Sequence, residues 1–378
     1  MNLGKFERRR FMARGAAAVL PLIGSRDISS VPRKAQGVSM SDRSADEPAY
    51  EENKRLRVDN YINAVAWNAD GSRLAALSNF GGTVTIWDAQ SWTIVKEFHR
   101  YGGAYSQNSL AFLPDGTLLT AAPIGNSPDP KYATLAIFSL IQWDSETGQP
   151  IRYIPDQGSL PKDLSDQIGP ANTFVISADG SKVAGISKGH ALLFETQGWS
   201  VVRRFATPPT SQHPDYADAV AISPNGQRIA VGTGFGHVHI FDVDGRKRPL
   251  SFVAFPGGFG KTCGAIAFDS NGQFLATGRG LVSVGEADDG WTRIWRVDDG
   301  TLVARLTGGE GSVRTLTWNR SGDELAVGDD RMLRLWRTSD PPQQPRLLKK
   351  ARDRSFSAAF SPSGVLAVSD GSDVVIYT

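Results

Sequence analysis

The chain of 378 residues holds a single cysteine, Cys263. That excludes an intramolecular disulfide and a zinc site built on cysteine. The thiol lies in Cys263-Gly264-Ala265-Ile266, a β-rich stretch where a lone cysteine is a small core residue rather than a nucleophile. Histidine is scarce too, with His99, His190, His213, His237 and His239 the whole supply. No apolar run approaches the ~20 residues a helix needs to cross a bilayer. There is no Gly-x-Ser-x-Gly nucleophile elbow. Gly278-x-Gly280 is too isolated to cradle a phosphate.

What is present is glycine and proline, 40 and 21 residues, a supply that suits a fold with many turns. Hydrophobic residues make up 40% and charged residues 21%, enough for a sizeable core and unlike a disordered chain. The net charge of +2 is unevenly placed. Residues 1–35 carry eight Lys or Arg against two acids, and the remainder carries 33 bases against 37 acids, a net −4. The body therefore gives no support for nucleic-acid binding through phosphate neutralisation.

The basic residues Lys5, Arg8, Arg9, Arg10 and Arg14 precede an uncharged stretch, Gly15 to Ser25, reading GAAAVLPLIGS. A basic segment followed by a short apolar one is the pattern of a secretory signal. The run Arg8-Arg9-Arg10-Phe11-Met12 resembles the twin-arginine consensus. That resemblance implies a bacterial protein exported after folding, periplasmic or secreted, with a cytoplasmic basic tail as the alternative. Residues 1–35 are read as this segment, 36–49 as a polar linker, and 50–378 as the folded body.

The body is repetitive. A turn signal recurs seven times: Asp70-Gly71, Asp115-Gly116, Asp179-Gly180, Asn225-Gly226, Asn271-Gly272, Ser321-Gly322 and Ser363-Gly364. The glycines are 45, 64, 46, 46, 50 and 42 residues apart. Asp-Gly and Asn-Gly favour tight hairpins because glycine reaches positive φ at little cost. An alternating apolar strand precedes each turn, as in Val65-Ala66-Trp67 and Leu316-Thr317-Trp318. A second small, apolar strand follows. A third ends on an aromatic residue: Trp87, Trp143, Phe194, Phe241, Trp295, Trp336 and Tyr377. Four of these precede an acid, as Trp87-Asp88, Trp143-Asp144, Phe194-Glu195 and Phe241-Asp242.

Four short strands per copy, closing on Trp-Asp, resemble the WD-repeat propeller family. The resemblance implies an all-β fold: a seven-bladed β-propeller of four-stranded antiparallel blades. The Gly-His pair that often opens a family repeat is missing, and three closing aromatics lack the acid, so the blades must depend more on packing. The seventh copy stops at Tyr377-Thr378 without a fourth strand, while Lys54-Arg55-Leu56-Arg57-Val58 precedes the first copy. The expectation is that this N-terminal strand completes the last blade and leaves no open interface. A six-bladed ring with a ragged C-terminus is the alternative.

Loop lengths single out one face. From turn glycine to closing aromatic takes 16, 27, 14, 15, 23, 14 and 13 residues, so the second and fifth copies carry insertions between their second and third strands. Long blade-to-blade connections at 155–170 and 207–216 fall on the same face. Elaborated loops on a rigid scaffold are where binding sites reside, although surface insertions also drift at little cost. The partner-binding candidates are Asn126, Asp129, Lys131, Tyr132, Asp163, Asp215, Tyr216, Lys261, Arg279, Glu286, Asp288 and Asp289.

No catalytic residue, metal ligand set or cofactor is expected. His237-x-His239 has a spacing a metal could use on one strand face but lacks a third ligand, and the Glu286-Asp288-Asp289 loop lacks a full calcium pattern. The resemblance implies a non-catalytic scaffold for a protein or peptide partner, monomeric or a subunit of a complex, without nucleic acid or a membrane span. An exported, metal-dependent hydrolase or lactonase-like enzyme with a site at the central channel is the competing reading.

Overall fold

The computed structural model describes residues 50–78, 82–99, 110–121, 140–154, 173–187, 189–209, 215–257, 260–281, 286–287, 289–338, 345–350 and 357–378. These residues form seven four-stranded antiparallel sheets and no helix. The inner strands, in chain order, are Ile62–Trp67, Leu110–Phe112, Thr173–Ile176, Ala217–Ile222, Cys263–Phe268, Val313–Trp318 and Ala358–Phe360. Each opens a blade, numbered one to seven, and successive strands of the blade lie side by side. The chain is a seven-bladed propeller. The signal-like segment and the linker lie outside the described residues.

The seventh blade is completed by the strand Glu52–Arg57, which pairs antiparallel with Asp373–Tyr377. Its register runs from Glu52 opposite Tyr377 to Arg57 opposite Asp373. The ring therefore closes as the orphan strand predicted. Burial explains why the pairing is specific. Leu56 is buried among Ile62, Leu74, Val374 and Ile376, while Arg57, on the opposite side of the strand, stays exposed. A shift of one residue would exchange those faces.

The core is an annulus rather than a centre. Seven clusters of buried apolar side chains occur among the described residues, and each joins two neighbouring blades. Ala64, Leu77 and Ile86 of blade one, for example, meet Leu110, Leu118 and Trp143 of blade two. The closing aromatics are all buried in these seams. No blade buries its own apolar faces alone, which is why the repeats need the ring. Cys263 belongs to one such seam. Its Sγ lies where a Cβ on Gly232 would stand only 2.6 Å away, and burial pushes its thiol pKa up.

The seven turn glycines have φ between +66° and +89°, the region glycine enters without a Cβ clash. The hairpins are longer than two-residue turns. Each glycine N–H bonds the carbonyl three residues back, as Gly71 to Asn68 and Gly180 to Ser177. Side chains complete them: Asn68 Oδ1 accepts from Arg73 N–H, and Ser177, Ser223 and Ser361 do the same with their hydroxyls. In blades one and two the acid after the closing aromatic caps the next turn. Asp88 accepts from the N–H groups of Gln90 and Ser91, and Asp144 from those of Glu146 and Thr147. These bonds hold Asp88 well below the usual carboxylate range, at about 2, with the Ser91 contacts leading.

Two of the four tryptophan-closed blades tie the closing indole to the second strand by a hydrogen bond. Trp143 and Trp295 donate their indole N–H to Thr120 and Thr277 of the second strand, both at 2.9 Å. In blades one and six the matching positions are Ala76 and Val327, which cannot accept. Blades two and five, which keep the bond, are also those with the long insertions. Outer strands are the exposed sheet edges, and six of them carry a bulge, at Val95, Ile151, Val202, Val303, Leu348 or Asn53. Such bulges blunt edges against further pairing.

Candidate binding face

One face of the ring carries the turns between first and second and between third and fourth strands. The other carries the connections between second and third strands and from each blade to the next. On this second face a carboxylate fastens the connections in each of blades four to seven.

In blade four, Asp215 stands just before the inner strand with its carboxylate fully buried. It accepts from Thr233 Oγ1 at 2.8 Å, from His237 Nδ1 at 2.6 Å and from the Phe235 N–H at 3.2 Å. The incoming connection is thereby tied to the turn that follows the second strand. Tyr216, next to it, is exposed and covers Gly189 of blade three. His239 bonds Ser251 through Nδ1 at 2.8 Å, and burial holds its pKa down at about 4. The two imidazoles are thus committed to separate partners, with ring centroids 6.2 Å apart. No group of three metal-ligating side chains occurs among the described residues.

Blade five brings Lys261, Arg279 and Glu286 together. Lys261 precedes the inner strand, Arg279 ends the second strand Phe274–Arg279, and Glu286 lies on the insertion between the second and third strands. One Glu286 oxygen contacts Lys261 Nζ and the other lies 2.7 Å from Arg279 Nη2. Asp289, on the same insertion, pairs with Arg293 at 3.3 Å. Arg293 is buried, donates to the carbonyls of Gly290 and Ala254, and lies 5.0 Å from the Phe255 ring centroid. The insertion is therefore pinned to the connection arriving from blade four. Glu286 and Asp289 each face a cation, which is not the converging oxygen set that calcium takes.

In blade six, the buried Asp329 accepts from the N–H groups of Arg331, Met332 and Glu310 and pairs with Arg334. In blade seven, Arg55 of the closing strand reaches Asp373 at 3.1 Å and Asp370 at 3.3 Å.

A second regularity went unread in the sequence. The inner strands of blades one, four, five and six share a bulge at the same register, leaving Asn63, Asp218, Gly264 and Arg314 outside the ladder. Bulges re-aim side chains next to functional sites. Asp218 is exposed to solvent, yet surrounding protein, then Asp215, push its carboxyl pKa up. Arg314 bonds Asp330 at 2.6 Å. Aligning the copies on Ala64-Val65-Ala66, Ala219-Val220-Ala221 and Ala265-Ile266-Ala267 would have exposed the position, because each triplet follows it directly.

Of the twelve sequence candidates, Asp215, Tyr216, Lys261, Arg279, Glu286 and Asp289 are described, and all six lie on this face in blades four and five. Lys261, Arg279 and Glu286 form one cluster, and Asp289 shares the insertion. Asn126, Asp129, Lys131, Tyr132, Asp163 and Asp288 lie outside the described residues. Sequence reasoning missed Arg293, Asp329 and Arg334, whose roles come from burial that their strand positions do not announce. A groove of about 300 Å³ opens on the opposite face, lined by Pro114, Asp115, Asp179 and Trp199 among others.

The family described as WD domain, G-beta repeat matches residues 53–88 and 300–337. The chain is 26% identical over 275 residues to telomerase protein component 1 of Rattus norvegicus, covering 72% of this chain and 9% of that protein. It is 23% identical over 271 residues to THO complex subunit 3 of Arabidopsis thaliana, covering 71% and 73%. Periodic tryptophan protein 2 of Saccharomyces cerevisiae is 24% identical over 333 residues, covering 76% and 31%. The chain thus spans less than a tenth of the telomerase component's length.

These relatives correct the expected location. They are eukaryotic proteins named for telomerase, the THO complex and periodic tryptophan, and another is named as U3 snoRNP-associated. The periplasmic or secreted bacterial protein implied by the arginine run is not what the chain resembles over its folded body. Two of the names are those of a component and a subunit. Both matched segments run from an outer strand through three strands of the following blade, Glu52–Arg57 into blade one and Leu302–Leu306 into blade six. Two segments of the chain thus match WD repeats, each laid out one strand out of step with the blades it helps to build.

Proposed function

We propose that the propeller is a non-catalytic scaffold that takes protein or peptide partners on the face carrying its long connections, as a subunit of a larger assembly. The observation that supports this reading most is the fastening of that face. In blades four to seven, carboxylates tie the connections down, so charged loops are held in place before any partner arrives. Pre-ordered loops avoid much of the entropy cost of association. The binding residues in this reading are the described candidates Asp215, Tyr216, Lys261, Arg279, Glu286 and Asp289, with Asp218 and Arg314 at the shared bulges. Asn126, Asp129, Lys131, Tyr132, Asp163 and Asp288 belong to the same set by sequence position. The domain reading that goes with it is a basic segment over 1–35, a linker over 36–49 and the scaffold over 50–378.

Affinity purification of the full chain tests the reading. The insertions at 123–132 and 280–290 are shortened in one variant, and the opposite-face residues Asp115 and Asp179 are changed to alanine in another. Stoichiometric partners should be lost from the first and kept by the second. Retention of every partner by the shortened chain overturns the reading. The competing enzyme reading predicts a tightly held stoichiometric metal, which elemental analysis of the purified chain would reveal.

A further inference from the structure

The face opposite the long connections is unevenly charged. In blades two and three its turns, over 113–117, 144–149, 177–181 and 196–200, hold Asp115, Asp144, Glu146 and Asp179 and no lysine or arginine. The groove of about 300 Å³ lies between these two blades, with Pro114 and Trp199 among its apolar walls and Asp115, Asp179 and the exposed Gln197 beside them. Asp115 bonds its own turn through Oδ1, from the N–H and hydroxyl of Thr117, and so keeps its other oxygen for a further donor. Bonds from Ser177 and Ser181 hold the Asp179 pKa at about 2, so the groove stays charged well into acid. The basic counterpart stands on the same face in blade four. There the connection from the third strand to the outer strand runs over 243–249, two residues longer than those of blades one, three and five. It presents Arg246, Lys247 and Arg248 in a row, all exposed. Its shape is fixed. Gly245 has φ +69°, its N–H bonds the Asp242 carbonyl at 3.0 Å, and it lies against the Arg203 guanidinium, which donates to the Val243 carbonyl at 3.2 Å. Arg246 reaches Asp244 at 3.2 Å and Lys247 reaches Asp242 at 3.9 Å, with 85% and 80% of the two side chains exposed. Exposed pairs of this kind hold a cation weakly.

We propose that the protein pairs with a second copy of itself through this face, the basic turn of each copy seating in the acidic groove of the other. The complementary charges lie on one surface of one chain, which is what a self-complementary contact requires. Their spacing suits it as well. The groove sits at the seam of blades two and three, and the basic turn on blade four, one and a half blades further round. A two-fold axis lying in the face, midway between them, exchanges the two positions. One rotation therefore seats both turns in both grooves, and the contact closes at two copies instead of growing into a chain. The connections on this face are short in blades one to five, so two such faces can lie together. Arginine and lysine lay their apolar stems along Pro114 and Trp199 and keep their charged heads on Asp115 and Asp179. The ion pairs are exposed and individually weak, so the dimer depends on several of them and on low salt. The long-connection face stays open in such a pair, and the scaffold reading stands or falls separately.

Sedimentation of the full chain over a range of concentrations tests this, at about 0.01 M and about 1 M salt, between which the screening length falls from about 30 Å to about 3 Å. At low salt the mass should double and rise no further. At high salt self-association should weaken by at least about tenfold. Arg246→Glu with Arg248→Glu, and separately Asp115→Lys with Gln197→Lys, should each be monomeric. Mixed together, the two variants should pair again, because the acidic turn meets the basic groove while the basic turn meets the acidic groove. The single changes Arg248→Glu and Gln197→Lys, mixed in the same way, replace any double variant that does not fold. A parent chain that stays monomeric at low salt overturns the proposal. So does a mixture that stays monomeric although both variants melt like the parent, or a dimer indifferent to salt and to these charges. Growth past two copies overturns the two-fold arrangement. A monomeric parent that binds a hexa-arginine peptide, with binding lost on Asp115→Lys, overturns the second copy in favour of a foreign basic segment.

Discussion

Trp67 of the first blade donates its indole N–H to the backbone carbonyl of Ala359 in the seventh, across 3.1 Å. Trp318 of the sixth blade does the same to Ala267 of the fifth, at 3.3 Å. The seam that joins the chain's two ends is therefore stapled in the same manner as a seam between blades consecutive in sequence. Trp67→Phe and Trp318→Phe should each destabilise the ring by about 0.5–1.5 kcal/mol, the net value of one such bond. Urea unfolding of the two variants checks this. A loss for Trp318→Phe alone would show that the closing seam is held differently.

The closing strand should matter as a core element does. Leu56 is 5% exposed within the seam between blades seven and one. Leu56→Ala should cost about 2–5 kcal/mol, the range for emptying a packed leucine site. The neighbouring Lys54→Ala, at an exposed position of the same strand, should stay within about 0.5 kcal/mol. Thermal melts of both variants make the comparison, and equal effects would contradict the closure described here.

Thr120 and Thr277 are completely buried and serve the indoles of Trp143 and Trp295. Valine has nearly the same shape but no acceptor. Thr277→Val should leave the Trp295 N–H unmatched in the interior and cost about 1–3 kcal/mol. Thr120→Val should act alike on Trp143. Changing Val327 to alanine in blade six would instead report only lost packing, so tryptophan fluorescence together with denaturant midpoints separates the two effects.

His239 should make the fold sensitive to mild acid. Burial, with a smaller contribution from His237, lowers its pKa from 6.5 to about 4. The unfolded chain therefore binds this proton first. The stabilisation is complete above about pH 6.5 and is lost progressively as pH falls towards about 4. His239→Gln should flatten that part of the stability profile, measured as urea midpoints between pH 4 and 7. An unchanged slope would assign the acid sensitivity to other groups.

The ring itself was legible because its signals are local. Each turn glycine occupies a backbone conformation that only a few residues tolerate, and in five of the seven copies the closing aromatic follows it after 13–16 residues. Leu56 could be placed for the same reason, since strand alternation and a missing partner at Tyr377 are both visible in one dimension. Asp215 was selected from its loop, but nothing in the sequence says that it meets His237 twenty-two residues on. Arg279 and Arg293 look like ordinary strand cations until the fold buries them. The shared bulge at Asn63, Asp218, Gly264 and Arg314 depends on a one-residue mismatch between paired strands, which becomes visible only when the register is known. The arginine run near the N-terminus misled for the opposite reason: a short motif was given an address that the relatives of the folded body do not share.

The one-strand offset between repeat and blade has a consequence for how such a chain can change length. A copied repeat carries away the outer edge of one blade along with the three strands of the next, so neighbouring blades interlock like links rather than stack like coins. Inserting a whole copy hands an edge backwards and receives one from ahead, and every blade stays full. Inserting a whole blade instead would open one copy, at the connection that crosses a seam. Growth and loss by complete copies are therefore changes this architecture can absorb without exposing an unfinished sheet.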